Sequence, residues 1–107
     1  VTLTDRFRAA VAQNAVTDLH AMWALGDLQS WTEWEFGGKP WETVEIDGRT
    51  IDVGALMRDR SPTTQAHKVK TPTLILHSDH DRRCPLAMAF RMAASNAARA
   101  RRTVRIS

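Results

Sequence analysis

The sequence has a single cysteine, Cys84, so no internal disulfide can staple it. A lone thiol fits a reducing compartment, and a cytoplasmic location is the expectation. No stretch approaches the roughly 20 apolar residues of a membrane span, which leaves no membrane partner to expect. The opening residues, VTLTDRFRAA, have neither the apolar core nor the small-residue cleavage site of a secretory signal. There is no internal repeat and no nucleic-acid reader motif. Five arginines lie in the last seventeen residues (Arg91, Arg99, Arg101, Arg102 and Arg105) without interleaved aromatics, and they read as a solvated helix face. Two catalytic signatures are missing as well: the G-x-S-x-G nucleophile elbow and the H-E-x-x-H zinc motif. His77, Asp79, His80 and Asp81 have the composition of a metal cluster. Their spacing fits no ligand motif, and neighbouring side chains point apart, so neither a metal nor a cofactor is expected.

What is present is ordinary for a soluble chain: 107 residues, 43% hydrophobic and 25% charged, with a formal charge of +3. That bounds it to one domain or less. The organising stretch is Thr71–Pro85, TPTLILHSDHDRRCP. Thr73–Leu76 is a short apolar run entered through Pro72 and left through a polar loop, which predicts a strand buried on both faces. In open α/β sheets, chemistry gathers at the carboxyl ends of parallel strands. The ionisable groups just past Leu76 therefore mark the expected site.

Other elements follow from local signals. Asp18–Leu25 reads as a short helix capped by Asp18. Ser30–Phe36 reads as a second, capped by Ser30 with Glu33 three residues on. Trp31, Trp34 and Trp41 fall within eleven residues, a density that fills core or lines a pocket. Val44–Ile46 and Arg49–Ile51 alternate around Asp47-Gly48, a two-residue hairpin signal. Val53–Arg60 predicts a helix that Ser61-Pro62 ends. Thr63–Lys70 reads as a connection with at most one helical turn. Leu86–Arg99 has helical spacing at Leu86, Ala89, Phe90, Ala93 and Ala97. Thr103–Ile106 is a candidate last strand.

Three blocks carry a resemblance: Thr4–Leu19 (TDRFRAAVAQNAVTDL), Trp31–Glu42 (WTEWEFGGKPWE) and Ser61–Pro85 (SPTTQAHKVKTPTLILHSDHDRRCP). In this order the chain resembles the prolyl oligopeptidase family of serine peptidases, its acylaminoacyl-peptidase-like branch in particular. The resemblance implies an α/β class and a partial α/β-hydrolase fold, the last parallel strands of the sheet with flanking helices. It also makes Ala9–Gln13 a strand, against alanine's poor propensity. It implies that Asp81 is the catalytic acid, set in an Asp-x-Arg-x-Pro context with Arg83 and Pro85; Asp79 is the rival carboxylate. It offers Arg83 as a donor to a substrate carbonyl, the alternative being an ordinary ion pair with Asp79 or Asp81. It sets Cys84 beside the pocket, and Trp23, Trp34 and Phe36 along the wall near the substrate side chain.

A triad also needs a nucleophile and an imidazole. By the family's order, the elbow is expected on the order of ten residues before Val1, and the histidine about half a dozen beyond Ser107. None of His20, His67, His77 or His80 takes that place. A whole α/β-hydrolase domain runs to about 200–250 residues. Residues 1–107 are therefore expected to be the C-terminal part of a catalytic domain, cut at both ends and inactive alone. Its partners would be a peptide substrate, the remainder of the domain and an N-terminal β-propeller. An esterase of the same fold and a non-catalytic remnant are the alternative readings. Cut from a larger sheet, the strands would expose an edge, so aggregation or partial order is expected in isolation.

Overall fold

The computed structural model describes residues 1–95 and, as backbone, 104–106. Two sheets are present among them. The larger has three parallel strands, β1 (Ala10–Gln13), β4 (Thr73–His77) and β5 (Val104–Ile106), in the order β1-β4-β5. Ala10 lies opposite Thr73 and Gln13 opposite Leu76, while Ile75 lies opposite Val104. β1 forms despite its alanines because its ladder partner β4 supplies the hydrogen bonds. The ladder runs on at both ends, where the Ala10 N–H donates to Pro72 O at 3.0 Å and the Asn14 N–H to Leu76 O at 2.9 Å.

β4 differs from its expectation. Thr73, Ile75 and His77 are buried, but Leu74 and Leu76 only partly so. Ile75 packs with Val69 and Ala66 of the segment before the strand, and with Ala89, Met92 and Ala93 of helix α4 (Leu86–Ser95). The opposite face carries Val11 beside Leu74, and Val11 is 65% exposed. A strand predicted to be buried on both faces is thus buried on one, because the described helices that pack on β4 meet the Ile75 side.

Between β1 and β4 the chain builds a second cluster. Helix α1 (Leu19–Leu25) starts at Asp18, whose Oδ1 accepts the Ala21 N–H at 2.9 Å, as its sequence predicts. Helix α2 (Gln29–Phe36) begins one residue before Ser30. Its N-cap is Leu28 and has no side-chain bond, so the expected Ser30 cap is corrected. Glu33 is taken up elsewhere, accepting the Trp23 indole N–H at 3.0 Å. The hairpin β2 (Thr43–Ile46) and β3 (Arg49–Asp52) is antiparallel with Val44 opposite Ile51, as expected. Asp47 and Gly48 both have positive φ, 49° and 73°, as a two-residue turn of this twist requires. Helix α3 (Val53–Asp59) follows, and its Val53 and Met57 bury against Leu19, Phe36 and Val44.

The connection after α3 is a longer helical piece than predicted: a 3-10 helix over Pro62–Lys68. Ser61 locks it to its neighbours. The Ser61 hydroxyl donates to Met57 O at 2.6 Å and accepts the Leu19 N–H at 2.9 Å. Thr17 hydroxyl donates to Met88 O at 3.0 Å, and Arg91 pairs with the nearly buried Asp18, so α4 is tied to the start of α1. α4 buries Met88, Ala89, Met92 and Ala93, whereas Phe90, counted on its apolar side from spacing, is half exposed. Ala97, Arg99 and the rest of the predicted helix and tail up to Thr103 lie outside the described residues.

Candidate active site

Both β1 and β4 end at the same rim, since Gln13 and Leu76 are paired in register. The first residue past β1 is Asn14, and the loop past β4 runs Ser78–Pro85, the acid loop. Asp81 sits in that loop and gathers four groups. Its Oδ1 accepts the Arg83 N–H at 3.0 Å and the Cys84 N–H at 2.8 Å. Its Oδ2 accepts the Asn14 side-chain amide at 2.6 Å. The fourth group, His77, lies near enough that a proton on its imidazole would favour the carboxylate. The Cys84 N–H and then the Asn14 amide hold the carboxyl below its ordinary value, against a smaller upward push from burial. The group is thereby kept as a carboxylate with a fixed orientation.

The loop itself is anchored on both sides. His77, buried at the end of β4, donates from Nε2 to Cys84 O at 2.6 Å. On the other side stands the turn between α1 and α2. The Asp27 N–H donates to Arg82 O at 3.0 Å, and Arg83 Nε donates to Asp27 Oδ1 at 2.6 Å. Arg83 is therefore in an ion pair, but with Asp27 rather than with Asp79 or Asp81. That pair raises the guanidinium's pKa further, chiefly through the Asp27 hydrogen bond. Gly26 makes the close approach possible: a Cβ there would lie 2.6 Å from Met22 O and 3.2 Å from Arg83 O.

Asp79, the rival carboxylate, is turned to the exposed His80, with Nδ1 and Oδ1 2.6 Å apart. Among the described residues no three His, Cys, Asp or Glu groups converge as a metal site would need. Cys84 is half-buried, and burial pushes its thiol up. It is therefore a packing group at neutral pH and not a thiolate. His67 is exposed and His20 half-buried, both away from the acid loop's hydrogen bonds.

The aromatic residues do not behave as one group. Trp23 and Trp41 meet edge to face, with centroids 5.4 Å apart. Trp34 is 85% exposed, Trp41 70% and Trp31 39%, so the core reading of the tryptophan cluster is corrected for all three. Glu35 beside Trp34 is also exposed, and Lys39 Nζ lies 5.8 Å over the Trp41 ring. Phe36 faces the other way, onto Leu19, Val53 and Met57. A cavity of about 200 Å³ lies on the covered face of the sheet between Ala12, Ile75 and Met92. Its lining is mostly apolar, with Thr17, Thr73 and His77 among it, and does not include Asp81.

For two members of this constellation, Asn14 and Asp27, sequence reasoning assigns no role, although the resemblance places Asn14–Asp18 at the carboxyl end of the first strand, facing the cleft. Asn14 carries a weak signal: asparagine is one of the few residues that tolerate positive φ, and here φ is 45° at a strand end. Asp27 carries only a turn signal.

A parallel rim that presents an oriented, ionised aspartate in an Asp-x-Arg-x-Pro loop is the geometry that known proteins can test. The sequence profile of the prolyl oligopeptidase family matches residues 1–105. The chain belongs to the prolyl oligopeptidase family. Its relatives include the uncharacterized peptidase YuxL of Bacillus subtilis, 33% identical over 87 residues. That match takes in 80% of this chain and 12% of the relative. The human acylamino-acid-releasing enzyme is 33% identical over 81 residues, 76% of this chain and 11% of its own length. In three dimensions the acylaminoacyl peptidase of Pyrococcus horikoshii superposes with a TM-score of 0.75 at 24% identity. It covers 98% of this chain, which spans 16% of that protein. The fold is therefore the α/β-hydrolase fold of this family in part, and the branch is acylaminoacyl-peptidase-like. The chain spans only about a tenth of the curated relatives it matches.

Proposed function

We propose that residues 1–107 are the C-terminal part of a serine peptidase's catalytic domain and contribute the acid of its triad, Asp81. The observation that carries this reading is the carboxylate at the rim of β1 and β4, ionised and held by the Asn14 amide and two loop N–H groups. In the proposed reaction, a serine from the rest of the domain attacks the peptide carbonyl carbon while an imidazole takes its proton. Asp81 holds that imidazole in the right tautomer and stabilises its charged form, without taking the proton itself. The imidazolium then protonates the leaving amine, and water resolves the acyl-enzyme by the same groups in reverse.

Around the acid, Asp27 occupies Arg83 Nε and leaves the outer nitrogens of the guanidinium to a substrate carbonyl. Trp23 and the exposed Trp34 stand on the same α1–α2 unit that holds Arg83, which supports a wall for the substrate side chain. Phe36 and Cys84 back that wall by packing. The substrate class is peptides, with the remaining domain and a β-propeller as the further partners.

The experiment is Asp81→Asn in the full-length protein, assayed on a chromogenic peptide. The expected loss in kcat is about 10⁴-fold, as for the removal of this charge from a triad. Activity at the unaltered level would remove the reading. The 107 residues by themselves are expected to give no turnover, since they carry no elbow serine and no triad histidine.

A further inference from the structure

The two oxygens of Asp81 are not equivalent. Oδ1 accepts two backbone N–H groups, which fills its two lone pairs. Oδ2 accepts the Asn14 amide alone among the described residues, so one of its lone pairs is left for another donor. Two bonds to one oxygen still allow the carboxylate to swing about it. A third bond, to the second oxygen, stops the swing.

Asn14 is placed for this by the sheet and not by its neighbours in sequence. Its N–H extends the β1–β4 ladder through Leu76 O at 2.9 Å, which fixes its backbone beside the end of β4. Its φ of 45° lies in the left-handed region that few residues other than glycine occupy. From there the amide reaches the acid loop across 67 residues of sequence. A turn at a strand end could use glycine more easily, so the backbone alone gives no reason for a side chain here.

Resting on the reading of Asp81 as the triad acid, we infer that Asn14 is a positioning residue for it. Its amide fixes the carboxylate so that the free lone pair of Oδ2 faces the imidazole. Asn14 touches neither the substrate nor the reacting atoms; it acts through Asp81.

The test is Asn14→Gly in the full-length protein, with Asn14→Asp and Asp81→Asn beside it. Glycine keeps the positive-φ backbone without strain and removes only the amide. The expected result is a kcat/KM about tenfold lower, carried by kcat with KM unchanged, as for one hydrogen bond to a charged group. The acid limb of the kcat/KM–pH profile should move to higher pH. A carboxylate stripped of a donor protonates more readily, and while ionised it holds an imidazolium more tightly. Any fall in melting temperature should be small, because glycine suits the positive-φ backbone as the one hydrogen bond is lost. Asn14→Asp keeps the shape but sets a like charge against Asp81, and should cost more activity and move the limb further. Wild-type kcat/KM with an unmoved limb in either Asn14 variant, while Asp81→Asn is inactive, overturns the positioning role alone. An active Asp81→Asn removes the acid assignment and this inference together.

Discussion

At the residue scale, the acid loop works by giving each ionisable group a different environment. Asp81 is exposed enough to meet a partner, yet three donors keep it ionised. Its folded pKa is below the ordinary value, so the stability it contributes is present above the unfolded carboxyl pKa and is lost as pH falls through the folded one. The loop should therefore loosen only in strong acid, below about pH 4. The protection factors of the Arg83 and Cys84 amides across pH 3–6 check this, and with Asp81→Asn those factors should lose their pH dependence. Cys84 goes the opposite way, because burial favours its neutral thiol. It should resist iodoacetamide at pH 7.5 in the folded protein and react once denatured; rapid labelling of the native protein would contradict the packing role. The Asp27–Arg83 pair is largely exposed, so Asp27→Ala should leave the stability of the fold nearly unchanged. If the free guanidinium then wanders, KM for peptide should rise while kcat holds.

At the element scale, α2 is the piece whose surroundings depart most from its sequence. It has no side-chain cap and shows Trp34 to water. It also buries the Thr32 hydroxyl, for which the described residues offer no partner. An unpartnered buried hydroxyl costs free energy that an isosteric methyl does not. Thr32→Val should thus stabilise the folded protein by about 1 kcal/mol, read from urea denaturation; a loss of stability would mean that the hydroxyl has a partner. α3 gives the opposite case. Gly54 lies against Pro40 O so closely that a Cβ has no room. Gly54→Ala should destabilise by about 2 kcal/mol, despite alanine's better helix propensity, because overpacking against backbone has no cheap relief. The hairpin, in contrast, was readable outright from Asp47-Gly48 and its alternating flanks.

At the scale of the whole molecule, the chain is a slab. Its extents are 44 × 31 × 18 Å and its radius of gyration is 14.8 Å, above the roughly 13 Å of a compact domain of this length. One sheet face is covered, and the other presents Val11 with the half-buried Leu74 and Leu76. Parallel sheets are stable when both faces are covered. The isolated 107 residues should therefore self-associate, with light scattering that rises with concentration, and Val11→Lys should reduce it. A sharp two-state melt of a monomer would count against this. Sequence alone determined the elements whose cause is local: the Asp18 cap, the Asp47-Gly48 turn, the short run Thr73–Leu76 and the position of Asp81 just beyond it. Propensity, capping and turn chemistry act between residues a few positions apart, so they can be read along the chain. The family's blocks added the strand Ala9–Gln13, observed as Ala10–Gln13, which propensity argues against. Tertiary structure alone decided that Asn14 meets Asp81, that Arg83 chooses Asp27 over Asp79, and that Trp34 lies outside while Phe36 lies within. Those outcomes depend on which strand ends share a rim and which helix face meets the core, and contacts across tens of residues leave no local trace.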